Sequence, residues 1–263
     1  MSSDHDRHEH DLGLGHDLPR LMGRRRLLGL LAGAGVVTLA GCAAAGGPGG
    51  AVAAGGANEI AQETAGPFPG DGSNGPNVLT ESGVVRSDIR SSFGSLSGTA
   101  QGVPLTIELT VTDGAKGGAA MPGAAVYAWH CNREGEYSLY DVEDQNYLRG
   151  VQVADATGKV RFTSIFPAAY SGRWPHVHFE VYPDLASATA SGNAITTSQL
   201  ALPEDACTQV YATAGYEASV ANMARTPLDS DNIFSDGYSG QLASVTGSVA
   251  GGMTATLTVP VEA

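Results

Sequence analysis

His176-Val177-His178, within Arg173-Trp174-Pro175-His176-Val177-His178, carries the most chemical content in this sequence. In a β-strand, residues i and i+2 project from one face, roughly 6–7 Å apart along the chain, so two imidazoles at this spacing can ligate one metal ion. The same pair also occurs on ordinary exposed strands. Two tyrosines raise its weight: Tyr170 lies six residues before His176, and Tyr137 sits in Glu134-Gly135-Glu136-Tyr137-Ser138. A phenol with a pKa near 10 is a poor ligand for divalent ions at neutral pH, whereas hard, highly charged Fe(III) displaces its proton. Two His with two Tyr would therefore make a ferric site. Glu180 continues the face of His176 and His178 by the same period of two. The residues alone thus leave open a 2-His-1-carboxylate Fe(II) or Mn oxygenase site with no use for Tyr137 or Tyr170. They also leave open a non-catalytic cell-surface binding module whose His pair is metal-free or holds a structural ion.

The elements that must position these groups read as strands. Leu105–Val111 alternates strictly between apolar and polar residues, and Ala124–Trp129 follows the Pro122-Gly123 turn. Gly150–Ala154 and Lys159–Thr163, with Asp155–Gly158 between them, read as a hairpin; His176–Tyr182 alternates again, and Thr254–Val261 is a last strand. Helical periodicity is confined to Thr208–Ala224, which predicts one short helix. Many short strands separated by turn signals predict an all-β fold, a sandwich or barrel. The composition agrees, with 36 glycines and only 16% charged residues. Lys and Arg total 14 against 27 Asp and Glu, a net charge of −13 that argues against nucleic acid or an anionic membrane surface as partner.

The N-terminal region reads as an address. Arg24-Arg25-Arg26 precedes Leu27-Leu28 and an apolar run to Ala40 of about 14 residues, short of the roughly 20 that a spanning helix needs. Paired arginines before two leucines resemble a twin-arginine signal over residues 1–41, and Leu39-Ala40-Gly41-Cys42 resembles a lipobox whose Cys42 would carry a lipid anchor. The predicted location is therefore the cell envelope or outside the cell. His5, His8, His10 and His16 precede the signal and would leave with it. Residues 42–58, almost wholly Ala, Gly and Pro, read as a tether to a single domain over 59–263. Apart from Cys42, only Cys131 and Cys207 remain, an even pair that predicts a disulfide in an oxidising compartment. His130, at a strand end, reads as structural, and Tyr140, Tyr147 and Trp174 as pocket walls or core.

Glu134–Ser138, Gly150-Val-Gln-Val153 with Thr163–Pro167, and Tyr170–Phe179 together resemble the intradiol ring-cleavage dioxygenases of catechol 1,2- and protocatechuate 3,4-dioxygenase type. Glu63-Thr-Ala-Gly-Pro-Phe68 resembles the opening motif of that family, and the likeness runs from about Glu63 to about Asp205. The resemblance implies a β-sandwich and a non-haem Fe(III) held by Tyr137, Tyr170, His176 and His178. It makes Tyr170 the ligand that leaves when substrate chelates, Arg173 the active-site arginine that stabilises negative charge on the substrate, and Gln199 the glutamine that follows the metal strand. It implies a catechol-type substrate and O₂ as reactants and a cis,cis-muconate-type product. The chain departs from the family in lacking the helical N-terminal segment that resembles a dimerisation element of the catechol type, which leaves a homo-oligomer open. Its Ser171-Gly172 turn also shortens the loop between the second Tyr and the first His relative to the protocatechuate type.

Overall fold

A computed structural model describes residues 59–263. The signal, Cys42, the four N-terminal histidines and the tether lie outside the described residues. Two β-sheets carry the structure. In the first, β1 (Pro104–Asp113) pairs antiparallel with β2 (Ala119–Ala120) and with β5 (Lys159–Ile165), and parallel with β9 (Gly252–Val261). β9 pairs in turn with β8 (Ser244–Ser248). The second sheet is antiparallel in the order β4 (Arg149–Val153), β3 (Ala125–Trp129), β6 (His176–Tyr182), β7 (Thr196–Ala201). The fold is all-β and sandwich-like, with two short helices, α1 (Glu204–Tyr211) and α2 (Glu217–Arg225).

The alternation in β1 has the meaning its sequence suggests. Leu105, Ile107, Leu109 and Val111 are buried, and they join Val126 and Ala128 of β3 and Val177, Phe179 and Val181 of β6 in the main core. Each large side chain buried there contributes about 1.5–3 kcal/mol of hydrophobic stabilisation. β6 differs from β1 in being buried at all seven positions. Its odd residues enter the core, while His176, His178, Glu180 and Tyr182 face the other way. On that outer face lies a second cluster that includes Val78, Val84, Tyr127, Trp129, Tyr137, Val151 and Tyr182. The edges of this sheet are also covered. Glu63 N donates to Thr197 O on β7 at 2.8 Å, and Arg86 N to Val151 O on β4 at 3.0 Å.

Three expectations are corrected. The strands Gly150–Ala154 and Lys159–Thr163 exist, but they are not a hairpin: β4 pairs with β3 in one sheet and β5 with β1 in the other. The Asp155–Gly158 turn, closed by Gly158 N donating to Asp155 O at 2.9 Å, carries the chain between sheets. A period of two identifies a strand and says nothing of its partner. The single helix expected over Thr208–Ala224 is two helices; the first ends at Tyr211, and the turn before the second contains Gly215 at φ +93°, a conformation that favours glycine. The third correction concerns the cysteines.

Cys131 and Cys207 are both buried free thiols. Cys131 packs in the outer cluster, with its Sγ donating to Ala168 O at 3.6 Å, whereas Cys207 on α1 packs in the main core. Burial pushes both thiols up, that of Cys131 to about 12, so neither is a ready thiolate nucleophile. Alkylation under denaturing, non-reducing conditions should therefore modify both thiols, as counted by mass spectrometry. Recovery of a linked, unmodified pair would restore the disulfide.

Candidate metal centre

His176 opens β6 directly after Pro175, whose carbonyl accepts from Leu202 N at 3.0 Å and so ties the strand entrance to the end of β7. Tyr137 sits on a loop shaped by Asn132, whose Oδ1 accepts from Glu134 N at 3.0 Å and Glu136 N at 2.9 Å. Tyr137 N donates to Asp141 Oδ2 at 2.8 Å, and two residues on Leu139 has φ +72°, an uncommon conformation for a bulky residue. Such backbone strain persists only where surrounding structure enforces it. Tyr170 precedes the Ser171-Gly172 turn, with Gly135 packed against it. A Cβ at Gly135 would stand 3.0 Å from the Cβ of Tyr170.

These elements bring four rings to one point. Tyr137 Oη stands 3.5 Å from Tyr170 Oη and 3.4 Å from His176 Nε2. Tyr170 Oη is 3.3 Å from His176 Nε2, which is 3.0 Å from His178 Nε2. Ligand atoms each about 2.0–2.1 Å from a common ion stand about 3.0–3.4 Å apart, so the four donors fit one metal ion. Burial lowers both histidines well below the usual imidazole range, with the Arg173 charge adding to the effect. Both are therefore neutral and competent as ligands. His176 Nδ1 donates to Trp174 O at 2.5 Å, which leaves the Nε2 lone pair facing the centre. His178 Nδ1 has no hydrogen-bond partner among the described residues; its ring is held instead by stacking on Trp129, with centroids 4.9 Å apart and planes at 5°. Gly66, at φ +72°, closes the other side, where an added Cβ would meet His178 Cε1 at 3.3 Å.

Burial raises both phenols, that of Tyr137 well above its ordinary value. An ion that binds here must displace two reluctant protons, which suits a hard trivalent cation better than a soft or divalent one. The two tyrosines are not equivalent. Tyr137 is buried beneath Phe68, whose ring stacks on it at 4.8 Å, whereas Tyr170 keeps part of its surface exposed.

Arg173 reaches this cluster through Nη1, 3.4 Å from His176 Nε2. Gln199 lies opposite His178 in the register of β7, but its amide is occupied: Oε1 accepts from Arg173 Nη2 at 2.6 Å, and Nε2 donates to Thr64 O at 3.0 Å. Arg149 is fully buried beneath the segment that bears Phe68. Its Nη1 donates to the carbonyls of Phe68 and Pro69, each at 2.9 Å, while Nε and Nη2 donate to Ser138 Oγ and O at 3.0 and 2.8 Å. His130 is structural, with Nδ1 on Cys131 O at 2.7 Å and Nε2 on Ser164 Oγ at 2.6 Å. Tyr140 packs on Phe68, Tyr147 accepts from Asn132, and Trp174 lies in a small cluster with Phe234.

Sequence reasoning missed Arg149, the stacking role of Trp129, and Asp231, whose Oδ2 accepts from Arg173 Nε at 2.9 Å. None carries a local signal. Asp231 in particular lies 58 residues from the arginine it holds.

Glu180 does not join the histidines. Among the described residues, no group of three or more His, Cys, Asp or Glu is placed to hold a metal. Its Oε2 accepts from Tyr182 Oη at 2.6 Å, and its carboxyl also faces Asp71. Glu180 Oε1 and Asp71 Oδ2 are buried without a well-formed hydrogen bond, although the Thr197 hydroxyl lies beside the Glu180 carboxyl. A proton on Glu180 resolves this conflict. Burial pushes its carboxyl up to about 8, so at neutral pH it is a donor to Asp71 and not a charged ligand. The 2-His-1-carboxylate arrangement is not formed among the described residues.

A two-sheet fold with a buried Tyr₂His₂ cluster defines the class: a β-sandwich with a candidate mononuclear centre. Comparison with known proteins shows what the chain resembles. Residues 75–180, less than half of the chain but including all four rings, match the family model described as Dioxygenase. A catechol 1,2-dioxygenase of Pseudomonas sp. (strain EST1001) is 43% identical over 54 residues, 20% of this chain and 18% of that protein. A hydroxyquinol 1,2-dioxygenase of Corynebacterium glutamicum is 34% identical over 77 residues, 29% of this chain and 25% of that protein. These matches therefore span no more than a quarter of either relative. The solved structure of an intradiol ring-cleavage dioxygenase from Tetranychus urticae shares the fold, at 22% identity and a TM-score of 0.55, covering 69% of this chain and 88% of that one. On these findings residues 75–180 are similar to that dioxygenase family, and the fold is shared with a solved intradiol ring-cleavage dioxygenase.

The state of Glu180 is testable through stability. A carboxyl raised from about 4.5 to about 8 on folding contributes stability that is fully present below pH 4.5 and lost as pH rises through 8. Glu180→Gln keeps a donor toward Asp71 without a titrating proton. Its melting temperature relative to wild type should therefore rise between pH 5 and pH 8.5. A difference that does not change with pH would place a charged carboxylate at Glu180.

Proposed function

We propose that this protein is an exported non-haem Fe(III) intradiol dioxygenase that opens catechol-type rings with O₂ to cis,cis-muconate-type products. The observation that carries this reading is the convergence of Tyr137 Oη, Tyr170 Oη, His176 Nε2 and His178 Nε2, with Arg173 Nη1 beside them. The names of the two matched relatives, a catechol and a hydroxyquinol dioxygenase, support an ortho-diol substrate. Tyr137, Tyr170, His176 and His178 would hold the ferric ion, which when bound supplies the Lewis acidity that lets a catechol lose both protons at neutral pH.

The remaining roles follow from the chain's own groups. Tyr170, the less buried phenol beside a glycine turn, is the one free to swing outward and take a substrate proton at its Oη. Tyr137, pinned under Phe68, stays in place. Arg173 presents Nη1 to the oxygen that gains negative charge, a preoriented donor in a dry site. Gln199 holds Arg173 from β7 and ties it to Thr64, so the segment that covers the centre and the donor beside it are fixed together. The Phe68 and Trp129 rings exclude water from the inner side. Residues 1–41 would act as a twin-arginine signal, with Cys42 as the lipid attachment point.

The purified domain loaded with iron is expected to be red-brown from tyrosinate-to-Fe(III) charge transfer, with a band that shifts when catechol is added. A domain that stays colourless after ferric reconstitution would remove this reading. Arg173→Ala should keep iron and colour but lose about 10²–10³-fold in turnover; loss of iron would make Arg173 structural. Fractionation of the native host should find the protein in the envelope, and mass spectrometry should find a lipidated Cys42 as the first residue. Protein confined to the cytosol would overturn the export reading.

A further inference from the structure

We propose that Asp231 is a positioning residue for the centre: it fixes the Arg173 guanidinium in the one orientation that directs Nη1 inward. This rests on the proposed function only for its consequence in catalysis; the geometry is independent of it. Asp231 has no exposed surface, and its two oxygens do different work. Oδ1 accepts from Ile233 N at 2.8 Å and Phe234 N at 3.3 Å, folding its own segment into a turn. Oδ2 accepts from Arg173 Nε at 2.9 Å and from Trp174 N at 2.7 Å. One carboxylate oxygen therefore sets both the backbone and the side chain of the residue pair that leads into His176.

The guanidinium is held at two of its three corners and on one face. Nε is on Asp231, Nη2 is on Gln199 Oε1 at 2.6 Å, and the Phe234 ring lies 5.9 Å below its Cζ. A planar fork fixed at Nε and Nη2 has no rotation left, so Nη1 must face His176 Nε2, 3.4 Å away. Gln199 alone would leave the fork free to pivot about one bond. The paired carboxylate also offsets part of the cost of burying the guanidinium, and Arg173 offers the centre a donor at a fixed place. Asp231 lies beyond the segment that matches the family model and beyond the sequence likeness noted above. It brings the Leu228–Ser230 and Phe234–Asp236 turns to bear on a site formed by the sheet.

The test separates positioning from folding. Asp231→Asn retains an oxygen for Ile233 N and Phe234 N but turns an amide N–H₂ toward Arg173 Nε. In metal-free protein, the Arg173 Nε–H signal in ¹⁵N NMR should exchange far more slowly than that of the exposed Arg225, and Asp231→Asn should abolish that protection. An Arg173 Nε–H that exchanges as fast as Arg225 in the wild type would overturn the proposal without any variant. In iron-loaded protein, Asp231→Asn should lower kcat about tenfold or more with iron content and colour retained. In an Arg173→Gln background it should lower kcat no further, because the group it orients is gone. An equal loss in both backgrounds would make Asp231 merely structural. Wild-type protein that takes up iron but turns over no diol would end the dioxygenase reading, and the exchange comparison would still decide what Asp231 holds.

Discussion

One buried cation holds the covering segment to the sheet. Arg149 points from the edge strand β4 to the outer face of the second sheet, and its donors reach the carbonyls of Phe68 and Pro69 on one side and Ser138 on the other. Phe68 stacks on Tyr137, and Ser138 follows Tyr137 in the chain. The guanidinium thus joins, in one set of hydrogen bonds, the segment that shuts the centre to the loop that supplies its innermost phenol. Hydrogen bonds to a charged group are worth about 1.5–3 kcal/mol each, and a buried charge left without them is costly. The sheet alone could not keep its outer face dry: His176, His178 and Glu180 are polar, and they are buried beneath the covering segment together with the rings of Trp129, Tyr137 and Tyr182.

That dryness decides the protonation of everything beneath it. Histidines lose their charge, tyrosines keep their protons and Glu180 keeps one that an exposed carboxyl would give up. Desolvation therefore sorts the residues by role. Neutral imidazoles await an ion, phenols yield only to a strongly charged one, and the nearby carboxyl is withdrawn from competition. The pairing of Arg173 with Asp231 follows the same rule, since neither charge could remain under this cover alone.

The sequence made legible whatever repeats at short range. Leu105–Val111 and His176–Tyr182 announced themselves by alternation, and the structure places both strands there. Tyr137, Tyr170, Arg173, His176 and His178 were readable because their types and spacing carry chemistry, and they do converge. What escaped depends on contacts between distant segments. The sheet to which β5 belongs, the two separate cysteine environments and the hold of Asp231 on Arg173 are all settled by packing. Glu180 was misleading for the same reason: the period of two put it on the correct face, but Asp71 and Tyr182, met only in the fold, claim its oxygens.

The parallel pairing of β1 with β9 bears on when this molecule can exist as a folded object. Residues 105–113 lie beside residues 253–261, so the central strand of the first sheet waits for a partner synthesised long after it. Ile60 N donates to Pro260 O at 2.8 Å, adding a second closure of the same span. Long-range pairings of this kind are slow to form, because a large loop must be closed before any contact offsets its entropy. A nascent chain emerging from the ribosome therefore cannot complete its main core strand by strand. It must hold β1 half-paired until residues 252–261 are clear of the exit tunnel, so this sheet closes only after its last strand is made.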